Sequence, residues 1–412
     1  MKFAFCALVF AGAAFGDVVT NWNAIMRETV RTEPAQVQAR FAAMTHLAMH
    51  DAVSAITREY RPYLGVVTAP PGASPEAAAI TAAHQVLRNC FPGHAATLDA
   101  EWSRSLSGVP NSPAKSAGIV AGQAAATAIL AARAQDGSAT PIPYIPQQGV
   151  GYWQPTPPAF ASAVAANWGR VLPFGLARSE QFRPEPPPQL TSLRYWRDYR
   201  EVKRMGDVLS TARTADNANV ARYMALTSPT QLLNAVAVQL SNAHQLPISD
   251  SARAFALMNM AIADASFAVF EAKYHYNFWR PLTAIRAGDT DGNPRTEADP
   301  SFTSLINAPA YPSYPSGFGA LTNAGRYVLE HLFGRSGHSF TLPVNPALPD
   351  TKLQYRNLRH LTDDVSDARV HGGIHFRFEQ DAAEVLGERV GQHLVEHQLR
   401  QNCSGPCQGD NR

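Results

Sequence analysis

Cysteine is scarce in this chain, with four among 412 residues, which excludes a disulfide-dense scaffold. Cys6 falls in an N-terminal leader and Cys90 reads as a buried free thiol. Cys403 and Cys407 sit four apart in a Gly- and Pro-containing tail, where a small disulfide loop suits an oxidising compartment. Two thiols do not complete a closed zinc site. Charge of one sign is also lacking: 35 Lys and Arg face 33 Asp and Glu, for a net of +2. With no basic run or stripe standing out, nucleic acid is not an expected partner. No stretch alternates apolar and polar residues long enough to build a sheet. The longest apolar run, 254–270, is short and holds Asp264 in its middle, so stable membrane insertion is not expected either.

What the chain does have is helical spacing. The first sixteen residues read as a secretory signal: Lys2, then an apolar stretch from Phe3 to Phe10, then Ala14-Phe-Gly16 as a cleavage site. A secreted or periplasmic location follows. Residues 17–135 form an N-terminal helical region, with apolar periodicity over 17–25 and 35–56 and alanine-rich helices over 76–89 and 113–135. Residues 136–188 carry eleven prolines that break any long helix. They read as an irregular excursion, docked through Tyr144, Tyr152, Trp153 and Trp168. Helical spacing returns over 189–398, strongest from Ser251 to Tyr276, with Ser249 and Asp250 as capping residues and Pro343 to Pro349 as a loop. Further helices are expected over 318–333 and 376–398, and 399–412 is a tail. The fold class is all-α, without internal repeats.

Three segments carry chemistry. Lys273 and Arg280 lie seven apart, two helical turns, and Pro281 ends the helix near Arg280. Arginine's planar fork suits two oxyanion oxygens at once. Pro315-Ser316-Gly317 opens a helix, where unpaired N–H groups and a partial positive charge meet an anion. Arg369 and His375 are joined through Gly372-Gly373, which breaks the helix and lets both side chains converge. Each segment alone has a plainer reading: two surface cations, a serine N-cap, a structural histidine. Together they describe an oxyanion cradle. His371 with His375, and His46 with His50, have the i, i+4 spacing of zinc ligands but lack the glutamate of a His-Glu-x-x-His motif.

These segments resemble the superfamily that joins vanadium-dependent haloperoxidases with type 2 phosphatidic acid phosphatases and related acid phosphatases. Its pattern is Lys-x6-Arg-Pro, then Pro-Ser-Gly-His, then Ser-Arg-x5-His-x3-Asp. Phe278-Trp-Arg-Pro281, Tyr311-Pro-Ser-Tyr-Pro-Ser-Gly317 and Gly373-Ile-His-Phe-Arg-Phe378 are similar to the soluble haloperoxidase branch. The match runs from Lys273 to Asp381. The resemblance implies four-helix bundles with the cradle at the centre of one. It implies that Lys273, Arg280, Ser316, Gly317 and Arg369 hold vanadate, with phosphate able to take the same place. It makes His375 the ligand to vanadium. Lys273 then polarises peroxide, and a halide attacks to give hypohalous acid for an organic acceptor.

Two departures stand out. Ala368 replaces the serine before Arg369, and Phe318 replaces the histidine of Pro-Ser-Gly-His, the family's acid-base residue. His371 and His275 are the candidate substitutes. Three readings follow: a haloperoxidase-type oxidoreductase, slow or altered because of Phe318; a soluble acid phosphatase with His375 as nucleophile; or a phosphate- or vanadate-binding protein whose catalysis has decayed. The halide, the acceptor and the oligomeric state are left open.

Overall fold

The computed structural model describes residues 17–402; the signal-like leader and the Cys403–Cys407 pair lie outside the described residues. The chain is all-α, built of packed helices. α1 (Val18–Val30), α2 (Ala35–Thr57), α3 (Pro75–Cys90), α4 (Ala95–Ser107) and α5 (Pro113–Arg133) come first. After the proline-rich stretch come α6 (Leu193–Gly206), α7 (Ala215–Ala225), α8 (Pro229–His244), α9 (Ile248–Tyr276) and α10 (Pro281–Arg286). α11 (Gly317–Phe333), α12 (Leu358–His371) and α13 (Arg377–His397) complete it. A two-residue antiparallel pair, β1 (Phe340–Thr341) with β2 (Gln354–Tyr355), is the single sheet among the described residues. One apolar core runs from Val19 on α1 to Leu399 beyond α13.

α9 is the central helix. It packs on α2, α11 and α13, and almost every residue from Ala252 to Ala272 is buried. Serine side chains cap α3, α5, α6, α8 and α11 by accepting from the N–H three residues on. α9 differs from expectation. Its N-cap is Pro247, with no side-chain cap bond, and Ser249 and Asp250 sit inside the first turn. Proline's fixed φ already sets the entry angle there. Asp250 instead accepts from the Tyr60 hydroxyl.

The proline-rich stretch has no long helix and lies along α9. The N–H groups of Phe174, Gly175 and Leu176 donate to the Asp264 carboxylate, at 2.6, 2.7 and 2.9 Å. Trp168 Nε1 donates to Ser266 Oγ at 3.1 Å, and the Tyr144 hydroxyl bonds Asn277. Gly169 approaches so closely that an added Cβ would lie 2.5 Å from Glu271 Cα. Asp264 is therefore not an interruption of an apolar helix but the clasp for this arm. Its burial pushes the carboxyl up to about 6, against the three N–H bonds that favour the charged form.

Candidate active site

The expectation that Lys273 and Arg280 share one helical face does not hold. α9 stops at Tyr276, and Asn277 takes the left-handed conformation at φ 51°. Asparagine tolerates that conformation. Arg280 is extended, at φ −83° and ψ 152°, because Pro281 excludes the helical region before it, and it forms the N-cap of α10. The two cations meet by a reversal of the chain.

Lys273 is fully buried, and its ammonium donates to three backbone carbonyls, Pro312 at 3.0 Å, Ser313 at 2.7 Å and Pro315 at 2.5 Å. An ammonium has three protons, so all are committed to the loop before α11. Arg280, also fully buried, donates from Nε to Tyr311 O at 3.1 Å and from Nη1 to Ile374 O at 3.1 Å. Its Nη1 also faces His375 Nε2 at 3.4 Å, while Nη2 has no partner among the described residues. The Tyr311 ring lies under both cations, 5.2 Å from Lys273 Nζ and 5.1 Å from Arg280 Cζ.

Arg369 stands in the last turn of α12 and is buried, its Nε unpartnered among the described residues. Its guanidinium lies over the Phe318 ring at 5.1 Å. Ser316, fully buried, is the N-cap of α11 and accepts from Gly319 N at 3.3 Å. An added Cβ at Gly317 would meet nothing nearer than Lys273 Cε at 3.6 Å, so the fold itself does not demand glycine there.

After α12, Gly373 turns the chain at φ 77°, where a side chain would strike Gly206 O at 2.6 Å. His375 follows and is buried. Its Nδ1 lies 2.5 Å from Glu379 Oε2. That oxygen also accepts from Ser313 Oγ at 2.9 Å and Phe376 N at 3.2 Å, while Glu379 Oε1 has no partner among the described residues. The pairing keeps the imidazole proton on Nδ1 and leaves the Nε2 lone pair facing Arg280.

Burial dominates the electrostatics. It drives Lys273 and His375 well below their ordinary values, aided in each case by the neighbouring guanidinium of Arg280. Burial brings Arg369 down to about 10 and pushes Glu379 up to about 7, the latter against the pull of Arg280 and Lys273. Around the pair, Phe278, Trp279, Tyr314, Phe376 and Phe378 form a second apolar cluster that keeps the local dielectric low.

The structure thus brings Lys273, Arg280, Ser316, Gly317, Arg369 and His375 into one region. It does not bring the two candidate substitutes for the missing histidine. His275 is exposed and packs edge-on against Tyr276. His371 is buried beside Asp367, Arg377, Glu201 and Arg213, not beside the cradle cations. His46 and His50 lie far back in the core, bonded to Asn23 Oδ1 and Arg61 O. Glu379 is not among the residues expected from sequence, although it stands at the His-x3-acid spacing from His375. Nor are Ser313 and Gln380. The Gln380 amide is buried, unpartnered at both ends among the described residues, and its Oε1 would lie 2.9 Å from a Cβ at Gly319. No motif flags it.

A helical-bundle fold enclosing a buried, cation-rich site is the class that this geometry defines. Residues 253–402, which include every cradle residue, match the VCPO second helical-bundle domain. The chain is 25% identical to the vanadium chloroperoxidase of Curvularia inaequalis over 287 residues, 53% of this chain and 46% of that one. It therefore spans about half the length of that relative. A bacterial vanadium-dependent iodoperoxidase superposes with a TM-score of 0.77 at 22% identity, over 93% of this chain and 96% of that one. The holo form of a bacterial vanadium-dependent chloroperoxidase gives 0.71 at 18% identity, over 88% and 91%. The resemblance to the vanadium haloperoxidase and type 2 phosphatidic acid phosphatase superfamily holds.

Proposed function

We propose that this chain is a vanadate-dependent oxidoreductase that oxidises a halide with hydrogen peroxide, for transfer to a small organic acceptor. The observation that carries this reading is buried, uncompensated positive charge. Lys273, Arg280 and Arg369 are all buried, Glu379 is the carboxylate facing Lys273 and Arg280, and two guanidinium donors, Arg280 Nη2 and Arg369 Nε, are left unpartnered among the described residues. Such a site is stabilised by an anion that accepts those donors. A tetrahedral oxyanion fits the donor set, and phosphate fits it as vanadate does.

Vanadate, when bound, supplies a Lewis-acidic centre that activates peroxide. The chain's own residues do the rest. Glu379 holds the Nδ1 proton of His375, so that Nε2 is presented as a ligand. Arg280, Arg369 and the helix start at Ser316-Gly317 offer donors fixed in advance, which cost little reorganisation. Lys273 shapes the loop before α11 and adds positive potential from behind it. Gly317, with no steric reason to be glycine, leaves its face of the helix start open to a ligand. Phe318 places no proton donor where the family pattern has histidine. The activity is then slow, by about two to four orders of magnitude relative to a site with that group. The likeness to a chloroperoxidase and an iodoperoxidase supports halide oxidation and leaves the halide open. A signal-like leader supports a secreted or periplasmic location.

The same Nε2 lone pair supports phosphomonoester hydrolysis as a second reading, with His375 as nucleophile. Bromination of a phenol dye by peroxide and bromide separates the two. Activity that requires both vanadate and His375 is expected, and is absent from His375→Ala. No bromination by vanadate-bound protein, with hydrolysis of an aryl phosphate that His375→Ala abolishes, overturns the oxidative reading.

A further inference from the structure

Phe318 removes the proton-carrying side chain of the superfamily pattern, and neither His275 nor His371 puts it back. A hydroxyl does stand close to where that side chain would be. Tyr311 is half-buried, as are Gly317 and Phe318, while the cradle's cations, Ser316 and His375 are buried. The solvent-facing side of the cradle is therefore made by these half-buried residues. The Tyr311 ring is fixed by its neighbours. It lies 5.2 Å from Lys273 Nζ and 5.1 Å from Arg280 Cζ, and Phe270 meets it edge-on at 5.2 Å. Its backbone carbonyl accepts from Arg280 Nε. Its hydroxyl faces the guanidiniums of Arg280 and Arg369. Arg369 thus adjoins both the Phe318 ring and the Tyr311 hydroxyl, so Tyr311 Oη shares the neighbourhood of an imidazole placed at position 318.

That hydroxyl is uncommitted. Other tyrosines packed about the same loops donate to fixed acceptors: Tyr144 to Asn277, Tyr274 to Val164 O, Tyr276 to Pro184 O and Tyr314 to Glu185 O. Tyr311 Oη has no such acceptor among the described residues. Tyr195 also lacks one, but it is fully buried, and its hydroxyl faces Asp291, Tyr199, Trp279 and Glu379. A guanidinium only donates, so the Tyr311 proton cannot be given to Arg280 or Arg369 and is free for a ligand. The cradle's other proton-bearing groups are engaged. Ser313 Oγ donates to Glu379, and the Lys273 ammonium spends its protons on three carbonyls. Glu379 sits behind His375, on Nδ1, away from the Nε2 that faces Arg280.

We propose that the Tyr311 hydroxyl is the proton carrier of this cradle. The assignment rests on the oxyanion reading given above and names the residue that moves its protons. Tyr311 Oη donates its proton to the oxygen that leaves as water and recovers one from the incoming peroxide, so no net proton is gained or lost. The tyrosinate present between the two transfers faces Arg280 and Arg369, whose positive charge stabilises it in a poorly hydrated site. A phenol relays protons less well at neutral pH than an imidazole, so the activity stays below that of a site with the histidine.

Tyr311→Phe removes the hydroxyl and keeps the ring, so the variant should fold as the unaltered chain does. Calorimetric titration of the vanadate-free full chain with inorganic phosphate should give an affinity about threefold to tenfold weaker, the loss of one hydrogen bond. Bromination by the vanadate-loaded protein should fall by about a hundredfold. In a Phe318→His background, where an imidazole can carry the proton, the same substitution should cost less than about twofold. A residue that only shaped the pocket would cost as much in either background. If the unaltered protein oxidises no halide, the halide reading falls alone. The same variants are then compared on an aryl phosphate, whose leaving oxygen takes the proton, with the same pattern expected. Unchanged phosphate affinity, equal rate losses in both backgrounds, or neither activity in the unaltered protein overturns the assignment.

Discussion

The phenyl ring of Phe318 lies 5.1 Å beneath the guanidinium of Arg369. A position that the superfamily pattern gives to a proton carrier is here a brace for an arginine. The ring holds the fork by cation–π attraction while leaving Nε free for a ligand. Phe318→His restores an imidazole at the start of α11. Peroxide-dependent bromination should rise by about a hundredfold or more, with vanadate affinity changed far less. Steady-state bromination kinetics beside a vanadate titration check this. An unchanged rate would mean that proton transfer does not limit this site.

Glu379 fixes which nitrogen of His375 is available. Glu379→Gln keeps the size but offers an amide where Nδ1, Ser313 Oγ and Phe376 N all converge on one oxygen. Affinity for vanadate or phosphate should fall by about tenfold to a hundredfold, as for other partners that orient a ligating histidine. Isothermal titration with each anion reads it directly. Affinity equal to that of the unaltered protein would show that the ring is oriented by packing alone.

Lys273 is a structural cation before it is anything else. Lys273→Met leaves the carbonyls of Pro312, Ser313 and Pro315 without their donor. The cost should be about 3 kcal/mol or more, exceeding the relief of repulsion with Arg280. A drop in thermal midpoint beyond that of Ser316→Ala is expected. A midpoint that stays put would return the lysine to the ligand set.

Asp264 gives the arm a pH signature. With its carboxyl pushed up to about 6, the folded chain keeps a proton that the unfolded chain, with aspartate near ~3.9, has already released. Its contribution to stability is complete below about pH 4 and declines as pH rises to about 6. The stability gap between the protein and Asp264→Asn should therefore narrow by on the order of 2 kcal/mol from pH 4 to pH 7. Denaturant titrations at the two values measure it. A gap that widens with pH would show the three N–H bonds outweighing burial.

Much of this was legible before folding. Helix positions followed from apolar spacing, and the cradle from three motifs, because those residues act through local spacing and fixed chemistry. What stayed hidden depends on contacts distant in sequence. Asp264 read as an interruption because nothing nearby in sequence announces Phe174, Gly175 and Leu176 as its donors. Lys273 and Arg280 read as one helical face because Asn277's left-handed turn has no strong sequence mark. Glu379 was marked by spacing and passed over, since a longer acid stood where the pattern has aspartate. α10 and α12 are short or polar, and their periodicity is weak.

Gly206 and Gly373 touch backbone to backbone, with no room for a Cβ on either. The end of α6 and the hinge that carries His375 are consequently one mechanical part. A substitution at Gly206, remote in sequence from every cradle residue, would displace the imidazole without altering a single group that meets the ligand. Mutational scans of this protein should find a position that abolishes function while looking, on any list of site residues, irrelevant to it.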